Sequence, residues 1–270
     1  HCGPFPTVPR MQSPNETPPP RPRAIYLLPN LFTTGGLFAG FYAIIAASQG
    51  HFTTACVAVF IAAILDGLDG RVARMTGTTS EFGVQYDSLA DLVSFGMAPA
   101  LVMYHWALST LRFDGTTLGK VGWAAAFLYA ACAALRLARF NTQVGQVDKR
   151  WFIGLASPAA AGLMMAFVWA FSALKFSGEQ MRYAALGVTV LAGLLMVSRF
   201  RYFSFKAAPR SERVPFLAVV VAVVVFVALA IDPPKVLLTV GVLYALSGPA
   251  MAAWQRLRRN SPPAAPGAPG

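Results

Sequence analysis

FTTACVAVFIAAILDGLDGRVAR, residues 52–74, reads in two halves. From Phe52 to Leu65 no residue is charged, whereas Asp66, Asp69, Arg71 and Arg74 crowd the remainder. As a helix rising about 1.5 Å per residue the stretch is long enough to cross about 30 Å of hydrocarbon. Its charged end then marks one edge of the bilayer. Comparable apolar runs lie on both sides, at about 31–48, 82–107, 121–140, 158–174, 182–198, 214–231 and 236–254.

Composition agrees with that reading. The 270 residues are 56% hydrophobic and 12% charged, with a mean hydropathy of +0.55, where a soluble domain carries about 25% charged residues. The expected fold class is an all-α integral membrane protein of about eight transmembrane helices in one membrane domain, with neither a fixed-period repeat nor a soluble domain. The segments 1–24 and 259–270 are rich in Pro, Ala, Gly or polar residues and are expected to be disordered tails. The sequence opens on His1, so Met11 reads as the natural start, and the first apolar run lacks a small-residue cleavage site and is expected to stay in the membrane. Cys2, Cys56 and Cys132 are odd in number and scattered, so they imply neither a disulfide framework nor a zinc site.

Placing both termini in the cytoplasm puts every basic residue on the inner side except Arg112, Lys120, Lys175, Arg182 and Lys235. Of 22 lysines and arginines that is a strong bias in the sense of the positive-inside rule. The net charge of +11 therefore belongs to short juxtamembrane loops facing anionic phospholipid headgroups. No nucleic-acid partner is expected.

Of the acidic residues, Asp66, Asp69, Asp87 and Asp91 stand within or at the inner ends of the second and third spans, where each aspartate costs about 2.5–3.5 kcal/mol at mid-bilayer. Asp66 and Asp69 are three apart and Asp87 and Asp91 four apart, so each pair occupies one helix face. The short turn 75–80 makes the two helices antiparallel neighbours, and the pairs can face each other at similar depth. Ion pairs with Arg71, Arg74 and arginines of other helices are one way to offset the charge. The alternative is divalent metal, for which an all-carboxylate set selects Mg²⁺ or Mn²⁺, and two ions are expected. Gly67, Gly70 and Gly83 interrupt the same helices at about 1 kcal/mol each relative to Ala, which favours close approach of a nucleotide or phosphate. His51 and His105 fall at the outer ends of their spans, so a carboxylate has to serve as base, and direct transfer is preferred to an acyl-enzyme route.

Asp66-Gly67-Leu68-Asp69-Gly70-Arg71-Val72-Ala73-Arg74, then Gly83, Asp87 and Asp91 at fixed spacing, resembles the signature of the CDP-alcohol phosphotransferase family. That resemblance implies a dimeric membrane enzyme with a six-helix core, a cytoplasm-facing site in the inner membrane, two divalent metals and a CDP-linked donor. The core would span 25–206, with two additional helices over 207–258. Leu28-Pro29-Asn30, DSLADLVSFGMAPA from Asp87, ALRLARFN from Ala134, FIGLASPAAAG from Phe152 and SRFRYFSFK from Ser198 further resemble bacterial members that transfer a phosphatidyl group to serine.

Carried over, the resemblance implies metal ligation by Asp66, Asp69, Asp87 and Asp91, with Asp91 also the catalytic base. It implies CDP-diacylglycerol contacts by Asn30, Gly70, Ala73, Arg74 and Gly83, the small residues having close helix packing as their competing reading. Arg136 and Arg139 are candidates for the carboxylate of L-serine, since guanidinium binds carboxylate in bidentate fashion; topological anchoring explains them equally simply. Ser94, Asn141 and Ser157 are further candidates for the acceptor pocket, with helix packing as the alternative. A sister phosphotransferase acting on glycerol phosphate, inositol phosphate or another alcohol is the nearest rival reading. An ion-coupled transporter would keep its carboxylates near midplane in repeated halves, which this chain does not do.

Overall fold

The computed structural model describes residues 24–77, 80–142, 151–203 and 216–259. In chain order the elements are α1 (Ala24–Ser48), α2 (Phe52–Thr76), α3 (Glu81–Asp91), a π turn (Leu92–Met97), α4 (Ala98–Trp106), a 3₁₀ segment (Leu108–Asp114), α5 (Thr116–Thr142), β1 (Trp151–Ile153), α6 (Ser157–Ala173), α7 (Arg182–Val197), β2 (Arg201–Phe203), α8 (Phe216–Ile231) and α9 (Pro233–Arg259). The helices coincide with the eight expected spans. Five helical stretches, Leu28–Ser48, Phe52–Thr76, Glu81–Asp114, Thr116–Thr142 and Pro233–Trp254, are long and apolar enough to cross a membrane, and Ser157–Ala173, Arg182–Val197 and Val219–Ile231 are shorter apolar helices. The chain is a multi-pass membrane protein. The tails lie outside the described residues apart from the helical ends at Ala24 and Arg259.

Small residues bring the helices together. Ala39, Ala43, Ala46 and Ala47 of α1 and Ala55, Cys56, Ala58, Val59 and Ala62 of α2 are buried, and α1 runs along α2 over the most extensive interface in the described chain. Lipid tails are as apolar as leucine, so dispersion between close backbones has to hold such helices together. Large apolar side chains such as Phe38, Phe41, Ile61, Ile64, Leu135 and Leu191 are exposed, as a lipid-facing surface requires. α5 packs on α7, α6 on α9 and α2, and α8 chiefly on α9.

The α2–α3 hairpin is defined by its caps. Gly77 adopts a left-handed conformation (φ 61°) and its N–H bonds the carbonyl of Ala73, ending α2. Ser80 then caps α3, its hydroxyl accepting the Gly83 N–H at 3.0 Å.

The third span is not the uninterrupted helix its apolar run suggests. After Asp91 the backbone widens into the π turn, and the Ala98 N–H reaches the carbonyl of Val93, five residues back. Pro99 accounts for the site of this change: it has no N–H to give Phe95, and its ring would press on that carbonyl in an α-helix. The Tyr129 hydroxyl of α5 donates to the Phe95 carbonyl instead, at 3.0 Å.

Two three-residue strands lie outside the all-helical expectation. β1 and β2 pair antiparallel, with Trp151 opposite Phe203, Phe152 opposite Tyr202 and Ile153 opposite Arg201. Gly154 follows at φ 82°, its N–H bonding the Phe200 carbonyl at 2.8 Å, while the Leu155 N–H bonds Leu195 at 3.0 Å. A Cβ at Gly154 would run into the Met196 carbonyl, so both conformation and space require glycine. The clasp joins the segment before α6 to the segment after α7, two stretches that the family resemblance singled out separately.

α1 meets the π turn just as closely. A Cβ on Gly40 would stand 2.6 Å from Ser94 Oγ and 2.7 Å from Ser94 Cα, so Gly40→Val should force the two backbones apart at a cost of about 1–3 kcal/mol. Gly187→Val is the control, because nothing lies within 4 Å of its added Cβ. Melting of the purified variants in detergent should show a lowered midpoint for Gly40→Val alone; equal midpoints would contradict the close approach.

Candidate active site

One turn of helix and one turn of π backbone set the positions of the site. Asp66 and Asp69 project from the last turns of α2, and Asp87 and Asp91 from α3 across the hairpin. Asp66, Asp69 and Asp87 each offer a carboxylate oxygen within 4.8 Å of the other two. Asp91 joins this triad through a hydrogen bond between its carboxyl and that of Asp66. All four line a single pocket together with Thr33, Gly36, Ala62, Ala90, Ser94 and Phe95.

Among the described residues Asp69, Asp87 and Asp91 form no salt bridge; Arg182 pairs with Asp114 and Glu179, and Lys235 with Asp232. Direct ion pairing with an arginine, one of the two ways of offsetting the charge, is therefore not made at these three positions. Arg74 is exposed, with its guanidinium 3.8 Å from where a Gly70 Cβ would stand. An all-oxygen donor set of this size suits a hard divalent cation.

Thr33 of α1 is the partner that sequence reasoning missed. It is buried, and its hydroxyl donates to Asp69 Oδ2 at 2.8 Å while also lying 3.1 Å from the Pro29 carbonyl. The signal was its position three residues after Asn30, on the same helix face. At the next residue, Thr34 Oγ1 and the Tyr86 hydroxyl are 2.8 Å apart, linking α1 to α3 as Thr33 links it to α2.

The residues expected at the donor lie at the same end of the hairpin. The Asn30 side-chain oxygen is 3.6 Å from the place a Gly83 Cβ would occupy, bringing the start of α1 to the first turn of α3. Gly70, Ala73 and Arg74 follow on α2, Gly70 and Ala73 being half-buried. None of these five lines the aspartate pocket itself.

The acceptor candidates divide. Ser94 lines the pocket but is buried with its hydroxyl donating to the Gly36 carbonyl at 3.0 Å, a contact that also holds α1 to the π turn. Asn141 bonds Ser88 of α3, its Nδ2 donating at 3.0 Å. Arg139 is half-buried, its carbonyl accepting from Thr142. Arg136 is also half-buried. Its Nη1 donates to Ser157 at 2.9 Å, its buried Nε has no hydrogen-bond partner among the described residues, and it lies within electrostatic reach of Asp91.

Comparison with known proteins bears on the segment that carries these aspartates. A family model described as CDP-alcohol phosphatidyltransferase covers residues 26–197. A Helicobacter pylori protein named CDP-diacylglycerol–serine O-phosphatidyltransferase is 42% identical over 203 residues, which are 75% of this chain and 83% of the relative. A Mycobacterium leprae protein of the same name is 41% identical over 151 residues, 52% of this chain and 48% of its own. An archaetidylserine synthase of Methanothermobacter thermautotrophicus is 32% identical over 177 residues, covering 65% and 69%. With its four aspartates converging inside the matched segment, the chain belongs to the CDP-alcohol phosphatidyltransferase family.

Proposed function

We propose that the chain transfers the phosphatidyl group of CDP-diacylglycerol to the hydroxyl of L-serine, giving phosphatidylserine and CMP. The observation that carries this reading is the convergence of Asp66, Asp69, Asp87 and Asp91 on one pocket. The acceptor follows from the name of the relative that shares 42% identity across three quarters of the chain. The site, both termini and the basic loops face the cytoplasm, as the distribution of lysine and arginine supports, and the membrane is the inner, cytoplasmic one. Residues 25–206 form the enzymatic core, 207–258 supply two added helices, and the enzyme works as a homodimer.

Asp66, Asp69, Asp87 and Asp91 would hold two divalent cations, Mg²⁺ or Mn²⁺, with Thr33 fixing the orientation of Asp69. Such ions would supply charge neutralisation for the donor pyrophosphate and for departing CMP. Asn30 and the small residues Gly70, Ala73 and Gly83 leave room for the nucleotide, and Arg74 meets its phosphates. Asp91 takes the proton of the serine hydroxyl as the serine oxygen forms its bond to the lipid phosphorus. The bond from that phosphorus to the bridging oxygen breaks, and CMP leaves with the electron pair.

Of the two arginines, Arg136 fits the serine carboxylate better. It is tied on one side to Ser157, keeps a free Nε, and lies within electrostatic reach of the proposed base.

Purified protein supplied with CDP-diacylglycerol should release CMP in the presence of serine and not with glycerol phosphate or inositol phosphate; release with another alcohol alone would replace the acceptor. Chelator should abolish turnover, and Asp66→Asn or Asp87→Asn should lose it at modest metal concentration. Thr33→Val should raise the Mn²⁺ concentration for half-maximal activity by about tenfold or more, as loss of a ligand-orienting bond does, with Thr33→Ser near normal. An unchanged metal dependence would remove Thr33 from the site. Arg136→Lys should raise KM for serine by about tenfold, because lysine's point charge cannot copy a bidentate contact, while Arg139→Lys stays within about twofold. The reverse order would exchange their roles.

A further inference from the structure

Asp91 is the last residue of α3, and the chain passes from it straight into the π turn. Within that turn Ser94, Phe95 and Gly96 are buried one after another, and each has its own anchor. The Ser94 hydroxyl donates to the Gly36 carbonyl of α1 at 3.0 Å. The Phe95 carbonyl accepts from the Tyr129 hydroxyl of α5 at 3.0 Å. Gly96 lies against α5, where an added Cβ would stand 3.2 Å from the Cβ of Ala133 and 3.1 Å from Leu92 Cδ1.

Ser94 and Phe95 line the aspartate pocket beside Asp91, whereas Tyr129 acts on it from outside. The Tyr129 side chain is fully buried, and its backbone is seated on α7, where a Cβ at Gly193 would lie 3.4 Å from Tyr129 Cα. The carbonyl it meets is the one that residue 99 would serve in an α-helix, and Pro99 has no N–H to serve it with. A buried carbonyl left without a donor is unfavourable. The Tyr129 hydroxyl therefore stabilises the backbone in the form that carries Asp91 into the pocket.

We propose that Tyr129 is a positioning residue for Asp91. By supplying the donor that Pro99 lacks, it holds the π turn, and through the turn it keeps the Asp91 carboxylate aligned with those of Asp66, Asp69 and Asp87. The inference rests on the reading of Asp91 as metal ligand and base. It extends the functional site to a buried hydroxyl on α5 that reaches the carboxylates only through the backbone.

The test pairs Mn²⁺ titration of the substrate-free full chain in detergent, read from the electron paramagnetic resonance of unbound Mn²⁺, with steady-state kinetics. Tyr129→Phe removes the hydroxyl and keeps the ring. It should weaken Mn²⁺ binding about fivefold, as loss of outer support for a ligand does. It should also lower kcat about tenfold, as slight misplacement of a reacting group does, with KM for serine within about twofold. Gly96→Ala, which presses the turn away from α5, should act in the same direction. Pro99→Ala supplies the missing N–H, so in that background Tyr129→Phe should change Mn²⁺ binding and kcat by less than about twofold, the two donors serving one carbonyl. Tyr183→Phe, which removes a hydroxyl bonded to Asp114 at 3.0 Å away from the pocket, should leave both unchanged. Unaltered Mn²⁺ binding and kcat in Tyr129→Phe overturn the proposal, as does a loss that persists in full beside Pro99→Ala, the mark of a general packing defect. If Asp91→Asn keeps natural turnover, the reading of Asp91 fails by itself. The Mn²⁺ titration of Tyr129→Phe, which needs no turnover, then still decides whether the turn sets the carboxylates.

Discussion

Four carboxylates held at one end of a helical hairpin repel one another in a medium that screens charge poorly. Thr33 gives one hydrogen bond to Asp69, and Asp66 and Asp91 share another, while the arginines of the signature lie at the edge. Such an arrangement would be costly to a membrane protein that used it only for packing. It becomes favourable when the electrostatic deficit is met by cations that arrive from solution, so the price of keeping the site open falls on the free protein.

Helix packing bears the remainder of that cost through closeness. Gly35 approaches α2 so closely that a Cβ would lie 3.3 Å from Leu65 Cδ1, and Gly40 meets Ser94 of the π turn. Because α1 is drawn in on both sides, a short threonine side chain can reach Asp69. Larger residues along this seam would move the hydroxyl beyond bonding range. The link from small residues to chemistry thus runs through backbone distance, with no contact of their own to the reacting groups.

The sequence was most informative where function is local. Asp66 with Asp69 and Asp87 with Asp91 are spaced within single helices, and a turn too short to allow any other topology joins them, so their convergence could be read directly. Thr33 is 36 residues from Asp69, and α1 is apolar on most of its circumference, which leaves no periodicity to say which face meets α2. The strand pair escaped because each strand has only three residues, too few for an alternating pattern to register. The break in the third span had one sign, Pro99, whose missing N–H was masked by the long apolar run around it.

That break has a geometrical consequence. A π turn accommodates one more residue than the α-helical turn it replaces, and a residue is worth about 100° of rotation in an α-helix. Leu92–Met97 therefore resets the phase of the span between its two halves. The aspartate-bearing half can aim its carboxylates at α2 while the other half, from Ala98 onward, presents a different meridian to α5 and α6. Two orientational demands that a straight helix would couple are thereby made independent. The chemistry of one half and the packing of the other can drift separately in evolution so long as the extra residue is kept.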